Sequence, residues 1–302
     1  MSKSYEKINY VFRLKKQIER KMIIETLQQI SILIDISKYH YFGFGSVYFA
    51  DFLLFHKYLN INSMTSIDHN KEDEKRFAFN KPYGFITFKI SDSTTFMERE
   101  LKWEDKLFIW LDYDGNLGMT MIDDAKLVAS KSKPLDIYLV TMRATSPPNI
   151  DDFKEEFALY IPRKLKYKDF KGKEFPKVLN GIMTASIESG LNTQENIRFL
   201  QLFNITYSDA SKMYTFGGIF YKDNKCADLK DRLSNLHYIS HDDRVVDIDC
   251  PILTLKEKIT LDSRIKAEKG ELTRDELGLK DKDIKSYGSY YKYYPQFFES
   301  VY

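Results

Sequence analysis

The pattern of apolar and polar positions predicts one helical segment followed by a regular alternation of strands and helices. Over residues 12–37, apolar side chains recur at steps of three to five residues, which places them on one face of a helix. Short apolar runs typical of strands follow at His40–Phe44, Met64–Asp68, Tyr83–Ile90, Lys106–Leu111 and Leu135–Met142. Helical patterns separate these runs at Val47–Leu59, His69–Phe79, Thr94–Leu101 and Met119–Ser132. Since parallel strands need crossover connections, the alternation predicts a mostly parallel sheet with helices on both faces.

The pattern changes after Pro147 and Pro148, where two predicted helices and a basic loop occupy residues 151–196. Two strand-like runs then flank a short turn rich in Ser and Asp, at Ile197–Tyr207 and Met213–Tyr221. This arrangement predicts an antiparallel hairpin at one edge of the parallel sheet.

Three regions follow from these patterns. We expect a helical lead at residues 1–37, an α/β Rossmann-like domain at 38–221, and an extension at 222–302 that packs on the core. Within the extension, Thr273 and Glu276 have the spacing of a capping box, which predicts a helix start.

Composition narrows the class of protein. The chain has 302 residues with 43% apolar side chains, which is enough for a sizeable core and argues against disorder. The formal net charge of +2 argues against binding polyanions by bulk charge, although a local basic patch stays open. Two cysteines form neither a disulfide framework nor a Cys-based zinc site. With no apolar run of about 18 residues and no apolar signal core, we expect a cytoplasmic protein without membrane helices.

Small and acidic residues follow four successive predicted strands. Gly43 and Gly45 follow the first strand, and Asp68, Asp92 and Asp112 follow the next three. Ligands of open parallel sheets bind beyond the carboxyl ends of the strands. Small residues let a ligand approach the backbone, and an acid at this distance from a glycine turn suits ribose hydroxyls. The set therefore predicts a site for a nucleoside-containing ligand.

Two such ligands are open on the residues alone, a dinucleotide and S-adenosylmethionine. The dinucleotide fingerprint requires a third glycine where this sequence has the bulky Tyr48. S-adenosylmethionine has no pyrophosphate, so the absence of this glycine matters less for it.

A family resemblance adds to this interpretation. It rests on Tyr41–Ser46, on Tyr48–Phe52, on Met64–Asp68, on Leu253–Glu257 and on the Tyr-rich ending from Tyr290, and Asn9, Tyr10 and Arg13 near the start also fit. These segments resemble a bacterial family of O-methyltransferases with the class I S-adenosylmethionine-dependent fold, and the likeness spans nearly the whole chain. The sequence departs from the class I pattern at Tyr41, where an acid is usual, and at Val47, where a third glycine is usual.

The resemblance implies a cofactor site for S-adenosylmethionine. By this likeness, Gly43, Gly45 and Ser46 would lie under the methionine part, Asp68 and His69 beside the ribose, and Asp92 and Ser93 beside the adenine amino group. Asp112 would lie near the transferred methyl group.

Asp112 and Asp114 flank Tyr113 where an acceptor would lie. They suit a general base or an oxygen-ligand Mg²⁺ site, and the same residues are good turn formers. We predict Asp112 and Asp114 as catalytic residues, Tyr113 as a substrate contact, and no metal, because nothing identifies a further ligand.

Arg13, Lys16 and Arg20 share one face of the first helix. They are candidates for binding an anionic acceptor, and the alternative is a solvated face with local ion pairs. At the other end of the chain, aromatic side chains alternate with Lys292; this pattern suits either stacking on single-stranded bases or packing of the tail across the domain. The aromatic positions are Tyr287, Tyr290, Tyr291, Tyr293, Tyr294, Phe297 and Phe298.

The sequence thus predicts an S-adenosylmethionine-dependent methyltransferase that acts on oxygen of a small-molecule or macromolecular acceptor. Two alternatives stay open: a non-catalytic protein that binds S-adenosylmethionine or a nucleotide and docks a partner, and a nucleic-acid methyltransferase, which the charge balance does not favour. A homo-oligomer is compatible with either.

Overall fold

A single mixed sheet organises the molecule. The computed structural model describes residues 12–162, 165–222, 226–265 and 278–295. The strands within them are β1 His40–Gly43, β2 Ser63–Asp68, β3 Ile86–Ile90, β4 Leu107–Asn116, β5 Ile137–Arg143, β6 Arg198–Ser208, β7 Lys212–Tyr221 and β8 Val246–Ile248. Their order across the sheet is β3-β2-β1-β4-β5-β7-β6-β8.

Helices cover both faces of this sheet. In the described residues they are α1 Leu14–Ile30, α2 Ala50–Leu59, α3 Glu74–Asn80, α4 Ser93–Arg99, α5 Met119–Lys131, α6 Ile150–Glu156, α7 Phe175–Leu191, α8 Cys226–Leu233, α9 Leu255–Arg264 and α10 Asp281–Tyr290. Short 3-10 turns occur at Ile36–Lys38, Lys71–Asp73 and Tyr167–Phe170.

The strand order confirms the predicted parallel sheet with its antiparallel hairpin. Strands β1 to β5 pair in parallel, and β7 runs antiparallel to both β5 and β6. The short β8, which the sequence patterns did not reveal, pairs in parallel with β6 beyond the hairpin. The chain reverses its direction of travel across the sheet between β1 and β4. Ligands of open α/β sheets bind at such a switch point.

Two helix boundaries differ from the sequence prediction. α1 ends at Ile30 rather than near residue 37. α2 begins at Ala50 rather than at Val47, because Ser46 and Phe49 have positive φ values of 45° and 47°. A right-handed helix does not accommodate that conformation, so residues 44–49 form a loop at the end of β1.

A third difference concerns Asp112 to Gly115, whose composition is typical of a turn. These residues lie inside β4, which continues to Asn116. The pairing of β4 with β5 shifts between Asp112 and Asn116, so the intervening residues form an irregularity in the strand. The turn-only interpretation is therefore wrong.

α1 lies against the sheet and is buried around most of its circumference, including the charged side chains of Lys16, Glu19 and Arg20. Arg13 occupies its N-cap position and makes no side-chain cap. The backbone N–H groups of Lys15 and Lys16 instead donate to the carboxylate of Asp209, at 3.0 and 3.1 Å. Asp209 comes from the β6–β7 turn, so the hairpin holds the start of α1 in place.

The extension packs its apolar and aromatic side chains on the same core as α1. Tyr238, Leu261 and Tyr287 are fully buried in the same hydrophobic core as the apolar residues of α1. Tyr290, Tyr293 and Tyr294 are also buried, which favours packing over base stacking for these members of the tail. Phe297, Phe298, the Thr273–Glu276 capping box, Asn9 and Tyr10 lie outside the described residues. In the part of the chain that the structure describes, no helix is both long and apolar enough to cross a membrane.

Candidate active site

The carboxyl ends of four adjacent strands bring the predicted residues to one edge of the sheet. β1 lies between β2 and β4, and Gly43 pairs with Ser66 on one side and with Trp110 on the other. Asp68 ends β2 opposite Ile90, the last residue of β3. Residues 44–49, which include Gly45 and which we call the glycine loop, therefore share this edge with Asp68, Asp92 and Asp112, as parallel pairing requires.

The structure explains why residues 43 and 45 are glycines. A Cβ atom on Gly43 would lie 2.6 Å from the carbonyl oxygen of Trp110, and one on Gly45 would lie 2.5 Å from Oγ of Ser66. The N–H of Gly45 also donates to that Oγ at 3.0 Å. Close packing against β2 and β4 requires these glycines, whereas the sequence argument attributed them to the approach of a ligand.

Asp68 is half-buried at the end of β2, and His69 beside it is exposed. Oδ1 of Asp68 accepts a hydrogen bond of 2.7 Å from the backbone N–H of Asn70. This bond orients the carboxylate at the sheet edge. A carboxylate held in this way accepts hydrogen bonds from two neighbouring hydroxyl groups, such as those of a ribose.

Asp92 is exposed and is the N-cap residue of α4. Its Oδ1 accepts from the N–H of Thr95 at 2.8 Å, and this hydrogen bond lowers the pKa of the Asp92 carboxyl. The carboxylate is thus ionised at neutral pH, and its second oxygen is an acceptor of the type that an adenine amino group needs.

Ser93 and Tyr113 belong to a buried hydrogen-bond network centred on Asp124 of α5. Both hydroxyl groups donate to Oδ2 of Asp124, and Thr94 donates to Oδ1. Burial raises the pKa of Asp124. The sequence did not single out Asp124, because an acid inside a helix, next to Asp123, resembles an ordinary solvated position.

The hydroxyl groups of Ser93 and Tyr113, which the sequence predicts to contact the cofactor and the substrate, are engaged by Asp124. Ser93 is 4% exposed and its hydroxyl is used inside the protein. Tyr113 is partly buried, and its ring meets that of Phe44 edge-on with centroids 5.1 Å apart. Asp124 therefore joins the ends of β3 and β4 and holds an aromatic pair beside the glycine loop.

Asp112 forms an ion pair with a lysine from α1. Nζ of Lys16 lies 2.9 Å from Oδ2 of Asp112 and 2.8 Å from Oε2 of Glu19. The side chains of Lys16 and Glu19 are 0% exposed and that of Asp112 is 16% exposed. We call these three residues the Lys16 cluster. Asp112 is its member that reaches the protein surface, whereas Asp114 is exposed and lies outside it.

Aromatic rings and hydroxyl groups enclose the Lys16 cluster. Nζ of Lys16 lies 4.3 Å from the centre of the Trp110 ring. The indole N–H of Trp110 donates to the hydroxyl of Thr141 at 3.0 Å, and the hydroxyl oxygens of Thr141 and Thr215 lie 2.8 Å apart. The Thr215 hydroxyl in turn donates to the carboxylate of Glu19. Burial raises the pKa of Glu19, and the nearby negative charge of Asp112 adds to this effect.

The other two basic residues predicted on this helix face are engaged by acids. Arg20 forms a buried ion pair with Asp51 of α2, and Nε of Arg13 lies 3.7 Å from Asp209. Interpretation of Lys16 and Arg20 as part of a solvated face is wrong, because both are buried. Their predicted role in substrate binding stays a prediction.

Tyr41 occupies the position where an acid is usual in the class I pattern. Its side chain is 1% exposed, and its pKa is raised by burial and by the nearby carboxylates of Asp51 and Asp112. The acids at this edge thus come from α2 and from β4 rather than from β1. Among the described residues, no group of three or more His, Cys, Asp or Glu side chains is arranged to hold a metal ion.

The family assignment follows from a match over almost the full length. A family model described as "Putative O-methyltransferase" matches residues 8–302. The chain belongs to this family. Seven of the eight strands in the described residues, in the order β3-β2-β1-β4-β5-β7-β6 with β7 antiparallel, have the arrangement expected from the sequence for a class I methyltransferase. Among curated proteins, the search found no match.

Two of the solved structures that are similar to this chain have low sequence identity to it. The N-methyltransferase NodS from Bradyrhizobium japonicum WM9 is 10% identical, with a TM-score of 0.39, covering 68% of this chain and 97% of its own. Trm1 from Pyrococcus horikoshii, solved with S-adenosyl-L-methionine, is 11% identical, with a TM-score of 0.48. That match covers 73% of this chain and 60% of Trm1.

Proposed function

We propose that this protein binds S-adenosylmethionine at the carboxyl edge of β1 to β4 and uses it to methylate an oxygen atom of an acceptor. The observation that carries the proposal is the placement of two carboxylates, Asp68 and Asp92, on adjacent strand ends beside the glycine loop. A nucleoside carries hydroxyl donors on its ribose and an amino donor on its base, and these two carboxylates are acceptors for such donors. Membership of the O-methyltransferase family supports the reaction class.

The residues present fit the chemistry of this cofactor. Asp68 would accept from the ribose hydroxyls and Asp92 from the adenine amino group. Asp112 would face the methionine and sulfonium end, where its partly exposed carboxylate favours positive charge. When bound, the cofactor supplies a methyl group on a positively charged sulfur, which is the electrophile of an in-line displacement.

The protein's contribution to such a displacement is mainly orientation, together with removal of the acceptor's proton. We assign the receipt of this proton to Asp112, whose carboxylate is partly exposed at this edge. The predicted catalytic role of Asp114 and the predicted binding of an anionic acceptor by Arg13 stay part of the proposal.

Calorimetric titration with S-adenosylhomocysteine tests the cofactor site. The wild-type protein should bind this product, and Asp68→Ala should weaken binding at least tenfold, because loss of one hydrogen bond to a charged group costs about 1.5–3 kcal/mol. Asp123→Ala is the matched control, since Asp123 is an exposed acid on α5 outside the site. Absence of binding by the wild type, or equal binding by Asp68→Ala, would contradict the proposal.

One observation favours the non-catalytic alternative. Asp112 already forms an ion pair with Lys16, as a structural carboxylate would. Asp112→Asn distinguishes the two functions: in an enzyme, turnover of an acceptor falls while S-adenosylhomocysteine still binds. In a non-catalytic binding protein, a broad acceptor screen yields no methylated product with the wild type.

A further inference from the structure

The buried charges around α1 do not balance. Arg20 pairs with Asp51, and Arg13 lies beside Asp209. Lys16 faces the carboxylates of Glu19 and Asp112, and Arg20 acts electrostatically on Asp112 as well as on Asp51, so two cations face three carboxylates. When all its members are ionised, the Lys16 cluster therefore carries one surplus negative charge. A surplus charge in a buried setting is costly unless a cation or a proton compensates it.

Glu19 is the member best placed to hold that proton. It is enclosed by Lys16, by the Thr215 hydroxyl, by Asp112 and by the ring of Tyr207, which belong to α1, β7, β4 and β6. No water-exposed surface of its side chain is left, so its ionised form lacks hydration. Asp112, by contrast, is partly exposed at the edge where the cofactor is proposed to bind.

We propose that the Lys16 cluster exchanges a proton for the positive charge of the cofactor. With no cation against Asp112, the cluster holds one proton, which resides on Glu19. When S-adenosylmethionine binds, its sulfonium charge compensates the surplus carboxylate and the proton leaves. This inference rests on the proposed function of the site, and it assigns to Glu19 and Lys16 a positioning role that acts through Asp112.

The exchange also balances the proposed reaction. The sulfur keeps the electron pair of the broken carbon–sulfur bond and becomes a neutral thioether, while the acceptor oxygen gains the methyl group and loses its proton. The positive charge that disappears from sulfur thus reappears as that proton. The Lys16 cluster, which again lacks a neighbouring cation, takes up the proton through Asp112 and returns to its protonated state.

Proton counting by calorimetry tests the inference without an acceptor. S-adenosylmethionine and S-adenosylhomocysteine are each titrated at neutral pH in phosphate and in Tris, whose different ionisation enthalpies reveal the number of protons released. The wild type should release about one proton more with S-adenosylmethionine than with S-adenosylhomocysteine. In Glu19→Gln this difference should disappear. Glu174→Gln, which removes an exposed Glu from a Glu–Lys pair of the same sequence spacing, should behave as the wild type.

Three results separate the possibilities. Equal proton release with the two ligands in the wild type, or an unchanged difference in Glu19→Gln, would overturn the inference while leaving cofactor binding intact. Failure of the wild type to bind either ligand would overturn the proposed function and the inference with it.

Thr215→Val provides a second route if Glu19→Gln does not fold. The Thr215 hydroxyl donates to the Glu19 carboxylate and so favours its ionised form. Without this donor, Glu19 keeps its proton more tightly, and affinity for S-adenosylmethionine should fall several-fold at neutral pH while that for S-adenosylhomocysteine stays the same. Equal weakening for both ligands would count against the inference.

Discussion

Replacing Lys16 by methionine tests whether the buried cluster under the sheet edge acts as one electrostatic unit. The substitution keeps an unbranched side chain, one heavy atom shorter, and removes the positive charge that lies within 2.9 Å of two carboxylates. Breaking a buried ion pair by removing one partner costs about 3–5 kcal/mol. Because Asp112 is 16% exposed, and because Glu19 is inferred to hold a proton when no cofactor is bound, we expect a loss near the lower end, about 3 kcal/mol at neutral pH.

Urea unfolding followed by tryptophan fluorescence measures this loss, because the Trp110 ring lies 4.3 Å from the Lys16 ammonium group. Adding Asp112→Asn to Lys16→Met should restore part of the stability, because it removes the carboxylate that has lost its cation, with a coupling energy on the order of 1–3 kcal/mol. Lys177→Met is the matched control, because Lys177 forms an exposed i,i+3 pair with Glu174. If Lys16→Met were as stable as the wild type, or if the two substitutions were additive, the three side chains would not share charge as described.

Two further predictions concern the glycine loop and the pH dependence of stability. Gly45→Ala should lower the free energy of unfolding by about 1–3 kcal/mol in urea titration, because its new methyl group would lie 2.5 Å from Ser66 Oγ. Glu19→Gln should change stability in a pH-dependent way. The raised pKa of Glu19 means that the folded protein binds this proton more tightly than the unfolded chain, so stability from Glu19 is fully present below its ordinary pKa and is lost as the pH rises through the folded value. The melting temperature of Glu19→Gln, relative to the wild type, should therefore rise from acidic to neutral pH.

Each of these has its own control. Gly115→Ala places a methyl group where no atom lies within 4 Å, so its unfolding midpoint should stay close to that of the wild type. Equal losses from the two alanine substitutions would show that packing of the loop does not require Gly45. For Glu19, a difference in melting temperature that is constant with pH would mean that its proton affinity is the same in the folded and unfolded states.

The sequence by itself determined the architecture of the sheet and the edge at which the site lies. Strands and helices have different apolar periods, and both are local properties of the chain. Alternation of the two implies crossover connections, and these bring the ends of successive parallel strands to one edge. The sequence therefore predicts that Gly43, Asp68, Asp92 and Asp112 lie at one edge of the sheet, although their roles in binding stay predictions.

The partners of these residues follow from the packing of the folded chain and could not be predicted from local patterns. Arg13, Lys16 and Arg20 have the local pattern of a solvated helix face, yet α1 is buried and each faces an acid from a distant part of the chain. Asp124 accepts hydrogen bonds from Ser93 and Tyr113 because α5 packs against the ends of β3 and β4, a contact that the sequence does not predict. The pattern of charges along one helix does not predict the partners of its side chains, because burial and ion pairing arise from contacts between elements that are far apart in sequence.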